Sequence, residues 1–174
     1  DWCPPCGTYG GPTLDSCLKQ EGTLLTGMKV NTSSNNSSLN WSTGQGMWNV
    51  FNTGVFASAN AIPSMAVNTT KQSVTTSVSS NYSGAVNKAT TFANGTVIAG
   101  IALRKSISGD SIAVDTKVKF FSDIAAGSDY RLAVYVVEDK LFTSQSTSSG
   151  TNSNYEYRNL VRTSNATVYY GAEI

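Results

Sequence analysis

The sequence predicts a chain in two parts, an α/β region over residues 1–94 and an antiparallel β region over residues 95–174. Three observations lead to this fold class. In the first part, apolar residues follow helical and strand spacings in turn. In the second part, strands with alternating apolar residues follow one another without an intervening helix. Turn sequences such as Gly109-Asp110 separate these strands.

The expected elements of the first part begin with a break in the chain at Gly10-Gly11-Pro12, where the proline opens a short helix over residues 13–19. A strand over 24–30 and a loop over 32–42 rich in Ser and Asn follow. The remaining predictions, in chain order, are a helix from Thr43 to a stop at Gly54, a strand entered through Pro63, a turn over 69–72, a strand over 74–78, and a helix through Val86, Ala89 and Phe92 that ends at Asn94-Gly95.

In the second part, period-2 alternation predicts strands over residues 97–104, 112–121 and 130–136, and later strands over 155–161 and 166–170. Successive strands of this kind are typical of an antiparallel sandwich that is similar to an immunoglobulin-like module. With these strands, the region from 95 to 174 is short of a complete sandwich.

Composition excludes several classes of function. Ser, Thr and Asn make up 59 of the 174 residues, whereas charged residues account for 13% and the net charge is +1. Nucleic acid is not an expected partner, because a phosphate backbone needs a basic face. The chain has no histidine, which removes Ser-His and Cys-His catalysis and histidine-ligated metals. We expect no cofactor and no metal.

The opening motif, Trp2-Cys3-Pro4-Pro5-Cys6-Gly7, carries the chemistry that the sequence offers. Only Cys17 remains as a further cysteine, so a four-ligand zinc site within one chain is not expected. A dithiol at a helix start has a lowered thiol pKa, so that Cys3 would attack and Cys6 would resolve the mixed disulfide. The alternative is a structural disulfide that closes the loop, and a Cys6–Cys17 bridge would abolish dithiol chemistry.

The WCPPC motif, the order of elements and Ile62-Pro63-Ser64 at a strand entrance together resemble the thioredoxin fold. The resemblance implies that Pro63 is a cis proline facing the dithiol, where its backbone pairs with an extended substrate. It also implies a central strand before the motif, which is missing from the given chain and would precede Asp1. Redox-active members often carry a basic residue at the position of Gly7.

A thioredoxin-like region joined to a β-sandwich resembles the twenty-eight-kilodalton outer-membrane lipoprotein family of Bacteroidota. The segments that carry this resemblance are the WCPPC opening, the cis-proline strand ending in Asn68, residues 130–139 and residues 157–162 with Asn159. Family members usually have His beside that Asn, where this chain has Arg158 and Leu160. The resemblance implies an exported protein at the outer membrane or cell surface, held by a lipid anchor upstream of Asp1, with protein partners in the cell envelope.

Two functions follow from these observations. The first is an accessory or binding module in which the thioredoxin-like region is a scaffold. The alternative is an exported thiol-disulfide oxidoreductase in which Cys3, Cys6 and Pro63 form the catalytic site.

Overall fold

The structure is a computed structural model that describes residues 2–20, 25–31, 39, 42–53, 61–68, 70–165 and 171–174. The chain is a mixed helix and sheet protein, with about 28% helix and 39% strand, and its strands pair antiparallel. The helices are α1 (Gly11–Gln20), α2 (Ser42–Thr53) and α3 (Val78–Ala93). The strands are β1 (Met65–Val67), β2 (Thr70–Gln72), β3 (Ala99–Ser108), β4 (Ser111–Phe120), β5 (Arg131–Leu132), β6 (Tyr135–Glu138), β7 (Leu141–Thr147), β8 (Gly150–Tyr157), β9 (Leu160–Ser164) and β10 (Ala172–Glu173).

The first helix is longer than predicted. Pro4 and Pro5 are already helical, a π-helical segment spans Cys6–Gly10, and α1 continues from it without interruption. The prediction of a break at Gly10-Gly11-Pro12 is therefore wrong. Pro12 has no N–H to donate, so it makes no backbone hydrogen bond within the helix as a donor. In the π-helical turn before it, the hydrogen-bond register is shifted by one residue, because the Gly11 N–H donates to the carbonyl of Cys6, five residues earlier.

Residues 25–31 do not form the predicted strand. Lys29 makes a single parallel bridge with Leu160, in which its N–H donates to the Asn159 carbonyl at 2.8 Å and its carbonyl accepts from the Val161 N–H at 2.9 Å. Two residues before Lys29, the Gly27 carbonyl accepts from a side chain and not from the backbone. Its donor is the Asn159 side-chain amide, at 2.8 Å. A side-chain donor in place of a backbone donor ends the ladder after one bridge. Residues 21–24 and most of the expected loop lie outside the described residues.

Helix α2 confirms the predicted helical spacing, although it begins at Ser42 and the expected stop at Gly54 lies outside the described residues. Its Met47 is fully buried, and the helix packs against β9.

The hairpin after Pro63 turns earlier than predicted. Asn68 has a φ of 51°, and β1 then pairs with β2 in a register that places Met65 opposite Gln72. The expected turn over 69–72 and strand over 74–78 are both wrong, because a left-handed Asn closes the turn first and Ser77 starts a helix. The Ser77 hydroxyl caps α3 by accepting from the Ser80 N–H at 3.2 Å.

Helix α3 ends at Asn94 as predicted, but its buried face differs from the expected one. Ala85 and Ala89 are buried, whereas Phe92 is 42% exposed. The helix packs against α1, and the buried Asn81 amide donates to the Thr13 hydroxyl of α1 at 3.4 Å. Asn81, Ala85 and Ala89 recur at four-residue spacing and so share the buried face.

In the second part, β3 and β4 form the predicted hairpin around the Gly109-Asp110 turn, with Ala99 opposite Phe120. The predicted single strand over 155–161 is divided, since β8 ends at Tyr157 and β9 begins after Asn159, whose φ is 49°. Residues 166–170 lie outside the described residues. The hairpin of β7 and β8 was not predicted.

The strands of the described residues form five two-stranded antiparallel sheets, which pair β1 with β2, β3 with β4, β5 with β10, β6 with β9, and β7 with β8. A small core joins the two parts of the chain. Leu39 from the first part is buried against Tyr157 and Leu160 from the second, and Leu141 and Tyr155 pack around them.

Candidate functional site

Cys3 lies at the start of the long first helix. The Cys6 N–H donates to the Cys3 carbonyl at 3.1 Å and lies 3.2 Å from the Cys3 sulfur. The two cysteines form a disulfide, with their Cα atoms 5.3 Å apart. A helix N-terminus stabilises a negative charge on a nearby sulfur, and the Cys6 N–H is the backbone donor that faces the Cys3 sulfur.

The structure brings Pro63 to this disulfide. The Ile62–Pro63 peptide bond is cis, and the Ile62 carbonyl oxygen lies 3.9 Å from the Cys3 sulfur. Gly10 makes the approach possible, because a Cβ atom there would lie 2.8 Å from the Cβ of Pro63. Cys3, Cys6 and Pro63, the three site residues predicted from the sequence, therefore occupy one place in the fold.

The exposure of these cysteines is the reverse of the expected one. Cys3, the expected attacking thiol, is 2% exposed, whereas Cys6 is half-buried. Trp2, which precedes the pair, is 56% exposed. An incoming thiol therefore meets Cys6 more readily than Cys3 in this state.

Cys17 takes no part in the disulfide. It is a free thiol in α1 and is 6% exposed. Burial raises the pKa of its thiol, which keeps the sulfur protonated and unreactive. The alternative bridge between Cys6 and Cys17 is not formed.

A hairpin from the second part of the chain packs against the disulfide segment. Gln145 in β7 is fully buried, and its amide donates to the Cys3 carbonyl at 2.9 Å and to the Ser146 carbonyl at 2.8 Å. The Gln145 oxygen accepts from the Tyr157 hydroxyl. A buried amide is stable only when its polar atoms are paired, and these contacts pair both ends of it.

Two glycines give the hairpin room. A Cβ atom at Gly7 would lie 2.7 Å from the Cγ of Gln145, and one at Gly11 would collide with the Tyr155 hydroxyl. Gln145 therefore occupies the space beside Gly7.

A groove of about 320 Å³ opens beside the disulfide. Its walls come from the first helix, from the segment before α3 and from the turn between β7 and β8, and its lining residues are Pro4, Pro5, Thr8, Tyr9, Thr76 and Ser148. The lining carries no charged residue.

A second cluster of titratable groups lies where residues 25–31 meet β8, and sequence reasoning missed it. The Lys29 ammonium lies 3.8 Å from the centre of the Tyr157 ring and 5.9 Å from that of Tyr155. Burial lowers the pKa of Lys29 to about 7, against a smaller opposing effect of Asp15. Burial also raises the pKa of Asp15 and raises that of Tyr155 to about 12. No local signal marks this lysine, because its burial depends on contacts distant in sequence.

Among the described residues, no group of three or more His, Cys, Asp or Glu side chains is placed to hold a metal ion. None of the described helices has the length and apolar character needed to cross a membrane. Comparisons with family models, with curated proteins and with solved structures found no match to this chain.

Proposed function

We propose that this protein is an accessory or binding module of the bacterial cell envelope, an exported outer-membrane lipoprotein similar to the twenty-eight-kilodalton family of Bacteroidota. Its first part is a thioredoxin-like scaffold and its second part an immunoglobulin-like region that contacts other envelope proteins. The Cys3–Cys6 disulfide stabilises the scaffold.

The observation that carries this proposal is the burial of Cys3. A thiol-disulfide enzyme presents its attacking sulfur to solvent, but Cys3 is 2% exposed and its carbonyl is bonded to the buried Gln145. The pairing with Cys6 rather than Cys17 is compatible with either function, so burial is the feature that favours a structural role.

A binding role is supported by the β3–β4 hairpin. Ile101, Leu103 and Ile107 are each 60–66% exposed on one face of it, and Ile112 on the same face is 52% exposed. Lys105 and Thr116 lie among these residues on the same face. Exposed apolar side chains grouped on one face are typical of protein interaction sites.

The test is a redox titration of the intact protein in glutathione and dithiothreitol buffers, read by differential alkylation and peptide mass spectrometry. For a structural disulfide we expect a midpoint below roughly −300 mV. A midpoint between about −120 and −270 mV would contradict the scaffold role. The envelope assignment is tested separately, by fractionating the source cells and probing surface exposure with added protease. Recovery of an intact protein in the soluble cytoplasmic fraction would contradict it.

The second candidate is an exported thiol-disulfide oxidoreductase. The position of the Cys3 sulfur favours this function, whereas its burial does not. The Cys3 sulfur lies at a helix N-terminus and close to the cis-Pro63 segment. In that function the Cys3 thiolate attacks a substrate disulfide and forms a mixed disulfide, and Cys6 then displaces the substrate thiolate. The same titration separates the two functions.

A further inference from the structure

The contact between the β7–β8 hairpin and the disulfide segment involves more than one point. Gln145 donates to the Cys3 carbonyl, and at the tip of the hairpin the Ser148 N–H donates to the Thr8 hydroxyl oxygen at 2.8 Å. Gly7 lies between these two bonds and is buried against Gln145. The hairpin is therefore fixed to the helix on both sides of the CxxC turn.

The β7–β8 hairpin is irregular next to Gln145. The β7–β8 register shifts between Thr143 and Gln145, where the pairing moves from Tyr155 to Asn152. Irregularities of this kind re-aim side chains and are found beside functional sites. Most residues of the hairpin are polar, and many of them are exposed, whereas Gln145 is buried. A buried amide N–H needs a hydrogen-bond acceptor, and the Cys3 carbonyl supplies one.

We propose that the β7–β8 hairpin is a built-in cover of the Cys3–Cys6 disulfide, and that Gln145 is the positioning residue through which the cover slows reduction by an external dithiol. The inference goes beyond the proposed function, because such a cover acts on a structural and on a redox-active disulfide alike.

Reduction requires the covered segment to move. A thiolate of the dithiol attacks the sulfur of Cys6, the more exposed cysteine, and a new S–S bond forms while the Cys3–Cys6 bond breaks and its electron pair leaves on the Cys3 sulfur. The second thiolate of the dithiol then displaces Cys6, so the reagent ends as a disulfide and the protein as two thiols. The two protein sulfurs must separate from bonding distance, and the Gln145 bond to the Cys3 backbone resists that shift.

The experiment compares the rate of reduction by dithiothreitol in the wild-type chain and in three variants, using alkylation of samples quenched in time. Gln145→Met keeps the volume of the side chain but removes its three hydrogen bonds, with the Cys3 carbonyl, the Ser146 carbonyl and the Tyr157 hydroxyl, and we expect reduction about tenfold faster. Thr8→Val removes the acceptor of the Ser148 N–H, and we expect an increase of about threefold.

Thr91→Val is the matched control. Thr8 donates to the Pro4 carbonyl at 2.8 Å and Thr91 to the Asn87 carbonyl at 2.9 Å, each four residues earlier in its helix. Within the described part of the chain, the Thr91 hydroxyl makes no hydrogen bond to the β7–β8 hairpin. We expect the wild-type rate from this variant. Equal rates in Thr8→Val, Thr91→Val and the wild-type chain would overturn the proposal, and this comparison decides it if Gln145→Met fails to fold.

A second measurement tests whether reduction of the disulfide loosens the β7–β8 hairpin. If the cover slows reduction, then reduction must loosen the cover, because the coupling is reciprocal. We expect amide hydrogen exchange in β7 to become faster in the reduced protein while exchange in α3 stays unchanged. Unchanged exchange in β7 would contradict the proposal. The midpoint of the wild-type disulfide tests the proposed function, whereas the ratio of variant to wild-type rates tests the cover, so the two can fail independently.

Discussion

Two hairpins of this protein have the same secondary structure and opposite surroundings. The β3–β4 hairpin is mostly apolar on one face, where Lys105 and Thr116 are the polar exceptions, yet Ile101, Leu103 and Ile107 on that face are mostly exposed. The β7–β8 hairpin is rich in Ser, Thr and Asn, yet its Gln145 and Tyr157 are fully buried. Hydrophobicity along a strand therefore does not determine burial here. Contacts with the first part of the chain bury residues of the β7–β8 hairpin, whereas no helix or strand of the described residues makes a comparable contact with β3–β4.

The largest expected effect comes from Tyr157, which is buried in the β7–β8 hairpin. Its ring is fully buried in the core with Leu39 and Leu160, and Tyr157→Ala should lower the free energy of unfolding by about 3 to 5 kcal/mol, as for other large aromatic side chains. Phe142→Ala on the same hairpin is the control, since Phe142 is 51% exposed and its loss should cost less than about 1 kcal/mol. Denaturant titration measures both. Similar losses for the two variants would mean that the hairpin is not anchored through Tyr157.

The lysine that packs on this tyrosine makes the anchorage dependent on pH. In the folded chain the pKa of Lys29 is about 7, below its ordinary value of 10.5, because burial disfavours the charged form. The unfolded chain therefore binds more protons between these two values, and stability rises with pH across that window. Below about pH 7 the cost of burying the charge is fully present.

Lys29→Met removes this cost and should raise the free energy of unfolding by about 2 kcal/mol at pH 6. The difference from the wild-type chain should shrink as the pH rises toward 10. Lys117→Met, at an exposed position of β4, is the control for replacing a lysine by methionine. Denaturant titrations at several pH values measure both variants, and a difference that is constant with pH for Lys29→Met would show that Lys29 is not titrating in the folded chain.

Asn159 connects residues 25–31 to the strands of the second part and gives a smaller effect. It has a left-handed backbone, and its amide donates to the Gly27 carbonyl. Asn159→Gly keeps that backbone accessible and removes only the amide bond, so we expect a loss of about 1 kcal/mol. Lys140→Gly is the matched control, because Lys140 also has a positive φ, of 62°, and glycine relieves it. The Asn159 variant should be the less stable of the two in thermal unfolding, and the reverse order would contradict the role of the amide.

The sequence predicted what depends on local pattern. Alternating apolar residues marked β3 and β4, helical spacing marked α2, and the Asn94-Gly95 pair marked the end of α3. The resemblance to the thioredoxin fold drew attention to Cys3, Cys6 and Pro63, which the structure brings together. What escaped prediction depends on contacts distant in sequence. The polar β7 strand has little apolar alternation, and the burial of Gln145 and Lys29 arises only when the two parts of the chain meet.

The exposed hairpin gives the smallest expected effect and the sharpest test of the comparison. If the apolar face of β3 is as open in solution as in the structure, Leu103→Thr removes little buried surface and introduces a β-branched residue, which suits a strand. The free energy of unfolding should then change by less than about 0.5 kcal/mol. Ala102→Thr, on the opposite face, controls for strand propensity. A loss above about 2 kcal/mol for Leu103→Thr alone would mean that this face is covered in the folded protein. Both hairpins would then be buried on one face, and the difference between them would be which part of the protein covers each one.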